Sequence, residues 1–324
     1  MYSLQGAYNK ALVTGGAGFV GSHIVEELLA DGLEVVCLDD FSAGKLENLA
    51  GFDNNSRLTV IEADISDKGS LSNAFDGVDV VFHQAVSKNT VCLEDPQRDL
   101  AINARGTLNL LEMARDANVR KFVHASTGSV YGEAQYYPTD ELHPLNPTSY
   151  YGVSKLAADR YVNVFRHLYG MNTTILRYYH VYGPRQENSD VGGVVSIFAR
   201  KAALGMPLTI YGDGTQLRSF TYVKDVVDIN RLVALDERSA GQIYNCASGA
   251  RITIGELAAD VLRLMGRTDL SINYEDWKLG DIVTFDVSNE RLRALGFEWK
   301  TEFADGLSDT IGWTRDWLAR TSDV

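Results

Sequence analysis

Short apolar runs alternate with amphipathic stretches from residue 10 onward. Ala11-Leu12-Val13 predicts a strand, and a glycine-rich turn follows it. Ser22 to Ala30 (SHIVEELLA) carries apolar residues at helical spacing, and Asp31-Gly32 stops that helix. Glu34 to Leu38, Leu58 to Ile61, Val78 to Phe82 and Lys121 to Ala125 predict four more strands. A long helix is expected from Ala101 to Ala117. Strands alternating with helices predict right-handed βαβ units and a parallel sheet covered on both faces. The expected fold class is α/β, a Rossmann-type doubly wound sheet with a smaller, interwoven C-terminal lobe.

The pattern changes after about residue 183. Residues 183–193 are polar and loop-like, 197–205 look helical, and Leu208 to Tyr211 looks like a strand. Asp225 to Ala234 and Ile254 to Leu264 predict helices, and only short segments are expected beyond residue 265. The expected division is a dinucleotide domain over 1–182 with part of 219–250. A second lobe takes 183–218 and 251–324.

Composition narrows the classes. The chain has 324 residues, 45 % hydrophobic and 23 % charged, an ordinary globular balance. Its net charge of -13 repels nucleic acid and anionic membranes, so neither is an expected partner. Any site for an anion must therefore draw on local positive charge. Three cysteines, Cys37, Cys92 and Cys246, are far apart and lack metal-ligand spacing, so neither disulfides nor a metal site are expected. No apolar run of about 18 residues exists, and the N-terminus lacks a signal-peptide pattern, which predicts a soluble cytoplasmic protein.

The glycine turn Thr14-Gly15-Gly16-Ala17-Gly18-Phe19-Val20-Gly21 sits between a strand and a helix. It fits G-x-G-x-x-G (Gly16, Gly18, Gly21) or G-x-x-G-x-x-G (Gly15, Gly18, Gly21). Either spacing brings backbone amides at a helix start up to a pyrophosphate. Asp39 closes the second strand, where a carboxylate suits the free ribose hydroxyls of NAD and repels the 2′-phosphate of NADP. Asp40 can share that role, and Asp64-Ile65 is placed to flank the adenine.

Tyr151 and Lys155 are four apart on one helical face. A tyrosine of pKa about 10 needs a neighbouring cation to act as a base at neutral pH. Upstream, Ser126-Thr127-Gly128-Ser129 follows directly on a strand, and its hydroxyls face the crevice where ligands bind in such sheets. Thr127 or Ser126 would then hydrogen-bond a reacting hydroxyl while Tyr151 takes its proton.

These motifs, with RYYHVYGPRQ (177–186) and PLTIYGDGTQLRSFTYV (207–223), resemble an extended short-chain dehydrogenase/reductase. The branch resembled is the NAD-dependent nucleotide-sugar epimerases of the UDP-glucose 4-epimerase type. The resemblance implies Thr127, Tyr151 and Lys155 as the catalytic set. It implies a cofactor site of Gly15, Gly18, Phe19, Val20, Asp39, Asp40, Ser42, Asp64, Ile65, Gln84, Ala85, Lys88, Asn103 and Tyr178, with Tyr151 and Lys155. For a UDP-sugar it implies Ser129, His180, Val195, Tyr211, Arg218, Lys278 and Asp281. It also implies a homodimer formed by four-helix packing, with Tyr161, Val164 and Leu168 as candidate contacts.

Three departures shape the expected reaction. Gly128 and Ser129 occupy positions where the dehydratase and decarboxylase branches carry acids, which favours simple oxidation and re-reduction at one carbon. His180 replaces an Asn beside the diphosphate, either as a hydrogen-bond donor, a cation or a packing residue. Lys278 replaces a second phosphate-binding arginine, keeping charge without the two-pronged geometry. Val283 and Phe285 both stand as candidates for the position that gates N-acetyl groups. Gly128 and Glu187 disfavour a uronate, so a neutral UDP-hexose ranks above UDP-glucuronate. Another dehydratase, decarboxylase or reductase remains an alternative, as does an NAD-sensing binding protein, although the catalytic set is intact.

Overall fold

The computed structural model describes residues 2–87, 89–187, 189, 192–277 and 283–322. Seven strands form one parallel sheet: β1 (Lys10–Thr14), β2 (Glu34–Asp39), β3 (Leu58–Glu62), β4 (Val80–His83), β5 (Lys121–Thr127), β6 (Thr173–Tyr178) and β7 (Ile243–Cys246). Their order is β7-β6-β5-β4-β1-β2-β3. The chain runs outward from β1 to β3, then restarts at β4 on the other side of β1. That reversal opens a crevice above the C-terminal ends of β1 and β4, the place where ligands bind in such sheets.

Seven helices matter here: α1 (Phe19–Ala30), α2 (Thr107–Asp116), α3 (Tyr150–Tyr169), α4 (Val194–Ala203), α5 (Val223–Leu235), α6 (Ile254–Met265) and α7 (Phe303–Ser322). Alternate strand residues feed opposite faces of the sheet. Val13, Val35 and Phe82 pack with Ile24 and Leu28 of α1 and Leu232 of α5. Leu12, Val36 and Val81 pack on the other side with Leu110 of α2 and Val162 and Phe165 of α3. A third cluster, built from Val195 and Phe198 of α4, Leu257 of α6 and Ile311 of α7, lies apart from the sheet. Among the described residues no helix is long and apolar enough to cross a membrane.

The expected strands all form, within a residue or two of the predicted ends. Strands β6 and β7 were not anticipated, because buried polar residues such as Thr174, Arg177 and Asn245 interrupt their apolar pattern. The expected single helix over 101–117 is instead a short helix Pro96–Leu100, a π-helical turn Ala101–Gly106, and α2. The expectation of only short segments after residue 265 also fails: α7 spans 20 residues. Its buried face includes Thr310 and Thr314, whose hydroxyls donate to the carbonyls of Gly306 and Thr310 at 2.7 and 2.8 Å. Threonines that satisfy themselves on their own helix hide an inward face from any count of apolar residues.

Candidate active site

The glycine loop shows why small residues are required at its tightest points. Gly15 has φ +65°, and a Cβ there would lie 2.8 Å from the Ala85 amide nitrogen. A Cβ on Gly21 would fall 2.0 Å from the Gly15 carbonyl oxygen, so α1 could not pack on the turn. Gly15, Gly18 and Gly21 line a cleft of about 830 Å³ together with Phe19 and Val20. The G-x-x-G-x-x-G spacing is therefore the one that faces the cleft. α1 starts at Gly18 with no side-chain cap and no acidic residue in its first turn. Its first amides are left to an anion.

Asp39, Asp40, Ser42 and Ile65 line one end of the cleft. Asp39 is buried and accepts the Ala17 and Phe41 amides at 3.0 and 2.9 Å. Burial raises its pKa against those hydrogen bonds. Asp40 accepts both the Ser42 hydroxyl at 2.6 Å and the Arg98 guanidinium at 3.0 Å. Arg98 also donates to Asp64 at 2.5 Å. Desolvation pushes Asp64 upward, but Arg98 and Ser66 outweigh it and hold the carboxyl below its usual range. Gln84 and Ala85 line the middle of the cleft, as does Tyr178. The Tyr178 hydroxyl donates to Gln84 Oε1 at 3.1 Å and accepts from Asn230 at 2.8 Å. Asn103, on the π-helical turn, sits one layer back. It donates to Asp99 at 2.6 Å and to Ser154 at 3.1 Å, and it accepts the Ser87 amide at 2.9 Å. It braces the cleft wall against α3.

The candidate catalytic side chains gather around the C-terminal end of β5. Ser149 caps α3 by accepting the Gly152 amide at 3.1 Å, which starts the helix so that Tyr151 and Lys155 both point back into the fold. Tyr151 and Ser126 line the cleft. Burial pushes the Tyr151 phenol up to about 12, while a hydrogen bond with the Thr127 hydroxyl pulls the other way. Thr127 Oγ1 lies 3.2 Å from the Ser129 hydroxyl and accepts the Ser129 amide at 3.2 Å. Lys155 is buried, and its ammonium donates to the Ala125 carbonyl at 2.6 Å. Desolvation lowers its pKa to about 8, against the pull of Asp159 and Asp99.

A second group of residues lies beyond the sheet edge. Arg218 donates to the Leu217 and Val283 carbonyls at 3.0 and 3.3 Å and holds its guanidinium 5.2 Å from the Phe285 ring centre. His180 packs edge-on against Phe285 and Phe220, with centroids 4.8 and 5.7 Å apart. Burial, with Arg218 adding to it, lowers the His180 pKa to about 3. Burial and ring packing thus favour the packing alternative for His180 over a positive charge. Of the two gate candidates, Phe285 packs against His180 and Tyr179, whereas Val283 is exposed. A Cβ on Gly128 would meet the Tyr179 ring at 2.3 Å, so an acidic side chain has no room there. Tyr211 is partly exposed, and its carbonyl accepts from Gln216. Val195 buries its side chain in the third apolar cluster. Lys88, Lys278 and Asp281 lie outside the described residues.

Residues 11–247 match the NAD dependent epimerase/dehydratase family. The chain belongs to that family. It is an NAD-dependent epimerase of the extended short-chain dehydrogenase/reductase class, with NAD as its cofactor. The UDP-glucose 4-epimerase of Mycolicibacterium smegmatis is 38 % identical over 312 residues, 95 % of this chain and 99 % of the relative. The crystal structure of the Thermus thermophilus UDP-glucose 4-epimerase complex with NAD superposes with a TM-score of 0.86 at 37 % identity, covering 94 % and 99 % of the two chains. The Thermotoga maritima UDP-glucose 4-epimerase with UDP-glucose gives a TM-score of 0.90 at 34 % identity, covering 95 % and 99 %.

The epimerase-family cleft also contains residues that pattern reading missed. Arg98, Trp313, Trp317 and Arg185 line it, beside Glu187, which the sequence had singled out. Arg98 sits in a short helix and looks like any surface cation in the sequence. Trp313 and Trp317 belong to the unexpected α7. Only the glycine cradle tests the fit of the cofactor directly. Its crowding by Ala85 and by Gly15 itself leaves room for backbone alone, as a pyrophosphate site requires.

Proposed function

We propose that this chain inverts C4 of a UDP-hexose through a transient 4-keto sugar. The observation that carries the reading is the placing of Tyr151 in one cleft with the glycine cradle, with Thr127 hydrogen-bonded to it and Lys155 anchored on the Ala125 carbonyl of β5. The amides at the start of α1 would hold the cofactor's pyrophosphate, Asp39 its adenosine ribose, and Lys155 its nicotinamide ribose. NAD held there would supply the hydride acceptor and donor for C4 and a positive ring that would favour the Tyr151 phenolate.

Tyr151 accepts the proton of the 4-hydroxyl and gives it back after the sugar has turned, so protons balance over the cycle. Thr127 aligns the hydroxyl by hydrogen bonding. In the chain's own field burial keeps Tyr151 protonated, so the base forms only once the site is charged by its ligands. Arg218 would pair with the diphosphate oxygens, with Tyr211 near the base. The 1–182 region with part of 219–250 serves the cofactor in this reading, and 183–218 with 251–324 serves the nucleotide-sugar.

Glu187 supports a neutral sugar, because it lines the cleft and its carboxylate would oppose a second one. Tyr179 packed on Gly128 supports epimerisation over elimination of water, because no acid fits at that position. A homodimer is also proposed, since Tyr161, Val164 and Leu168 are exposed on one face of α3. Light scattering reads that directly.

The deciding experiment is mass spectrometry and NMR of products from a panel of UDP-sugars. UDP-galactose and UDP-glucose should interconvert without net NADH. Turnover of the N-acetyl pair or the uronate pair alone would move the substrate assignment. Inertness of all three pairs would end the 4-epimerase reading.

A further inference from the structure

One wall of the cofactor cleft comes from outside the Rossmann sheet. α7 sends Trp313 and Trp317 into the lining. The two indoles are stacked, with ring centroids 6.2 Å apart at 22°. The loop after β2 meets them from the facing side, where Lys45 holds its ammonium 5.7 Å from the Trp317 ring centre.

That loop is fastened to the glycine turn. The Lys45 amide donates to the Ala17 carbonyl at 3.0 Å, and Asn48 Nδ2 donates to the same oxygen at 2.8 Å. The Ala17 amide donates in turn to Asp39 at 3.0 Å. Lys45 is therefore held in register with the start of α1, whose first turn carries no acid. Amides and ammonium together bring positive charge to a part of the cleft that otherwise carries Asp39, Asp40 and Glu47, in a chain of net charge -13.

We propose that Lys45 and Trp317 form a clasp that retains NAD, with the C-terminal helix closing the cleft on the pyrophosphate side. The indole keeps water from the charged end of the cleft and orients the ammonium by a cation–π contact. The ammonium adds a mobile point charge to the fixed amides of the glycine loop. The proposal rests on NAD as the cofactor, which family membership establishes, and not on the identity of the sugar.

The test measures NAD itself. NAD-stripped protein is titrated with NAD by calorimetry, and release from the holoprotein is followed after dilution. Lys45→Gln and Trp317→Ala should each weaken binding and speed release by about three- to tenfold, the scale of a single cation–π contact with its desolvation. Trp317→Phe should recover much of the loss. The double variant should fall short of the product of the single effects, because the two groups act through one contact. Lys45 is exposed, so Lys45→Gln reports binding even if Trp317→Ala weakens the packing of α7. Unchanged affinity in Lys45→Gln, or additive effects in the double variant, would overturn the clasp and leave α7 as a passive wall.

Discussion

Tyr151–Lys155 and His180–Arg218 each join a half-buried ionisable ring with a buried cation, yet the fold treats them in different ways. The first pair sits on a capped 20-residue helix against an all-buried strand. The second sits where paired strands are only two residues long, at Val181–Tyr182 and Leu217–Arg218. In the first pair, regular structure fixes position and burial tunes the proton affinity. In the second, position comes from aromatic packing: Phe285 and Phe220 hold His180, and Phe285 also carries the Arg218 guanidinium. Backbone ladders position the first pair, and side-chain shape positions the second.

The comparison breaks first at Tyr151. Tyr151→Phe should lower turnover by about 10²–10⁴-fold with the fold intact, because it removes only the proton acceptor. Full activity in that variant would remove the catalytic role of the helical pair. Gly15→Ala comes next. Its φ of +65° and the approach of Ala85 leave no space for a methyl, so NAD affinity should fall by at least about tenfold. Binding calorimetry gives the answer, and wild-type affinity would show that the cradle is looser than its geometry.

On the recognition side, Arg218→Lys should raise KM for the UDP-sugar by about tenfold while changing kcat little, since a lysine cannot pair two oxygens at once. A loss confined to kcat would place Arg218 with the chemistry instead. Gly128→Ser should destabilise the protein by about 1–3 kcal/mol through overpacking against Tyr179, and Tyr179→Ala should relieve most of it. Independent, additive effects would show that Tyr179 does not close that position.

The smallest expected effect is in acid. The pKa of His180 is lowered to about 3 by burial and Arg218, and those of His23 and His124 to about 4, with desolvation the leading cause in each. The unfolded chain binds these protons near pH 6.5 and the folded chain does not, so stability is lost as pH falls from about 6.5 toward 4. His180→Asn should flatten part of that slope in thermal unfolding scans. An unchanged slope would mean that His180 is accessible to protons in the folded state.

Legibility followed the same division. The glycine loop, Asp39, Thr127 and the Tyr151/Lys155 pair could be read because each depends on residues close in sequence and on a strand or helix with a clean period. Arg98 could not, since its meaning arises from Asp40 and Asp64, which are 58 and 34 residues away. The role of His180 stayed open until its ring was seen between two phenylalanines. The residues of α7 were missed because threonines on its inner face satisfy their hydroxyls on the helix itself.

By itself, the sequence determined the α/β class, the place of the glycine loop and the spacing of Tyr151 and Lys155 as the candidate catalytic pair. Hydrophobic period and glycine spacing are local properties, and local properties survive in one dimension. Only the tertiary structure decided that His180 packs between two phenylalanines, that Tyr179 fills the space above Gly128, and that the C-terminal helix lines the cleft. Desolvation and close packing are properties of neighbours brought together from distant parts of the chain, and no spacing along the sequence encodes them.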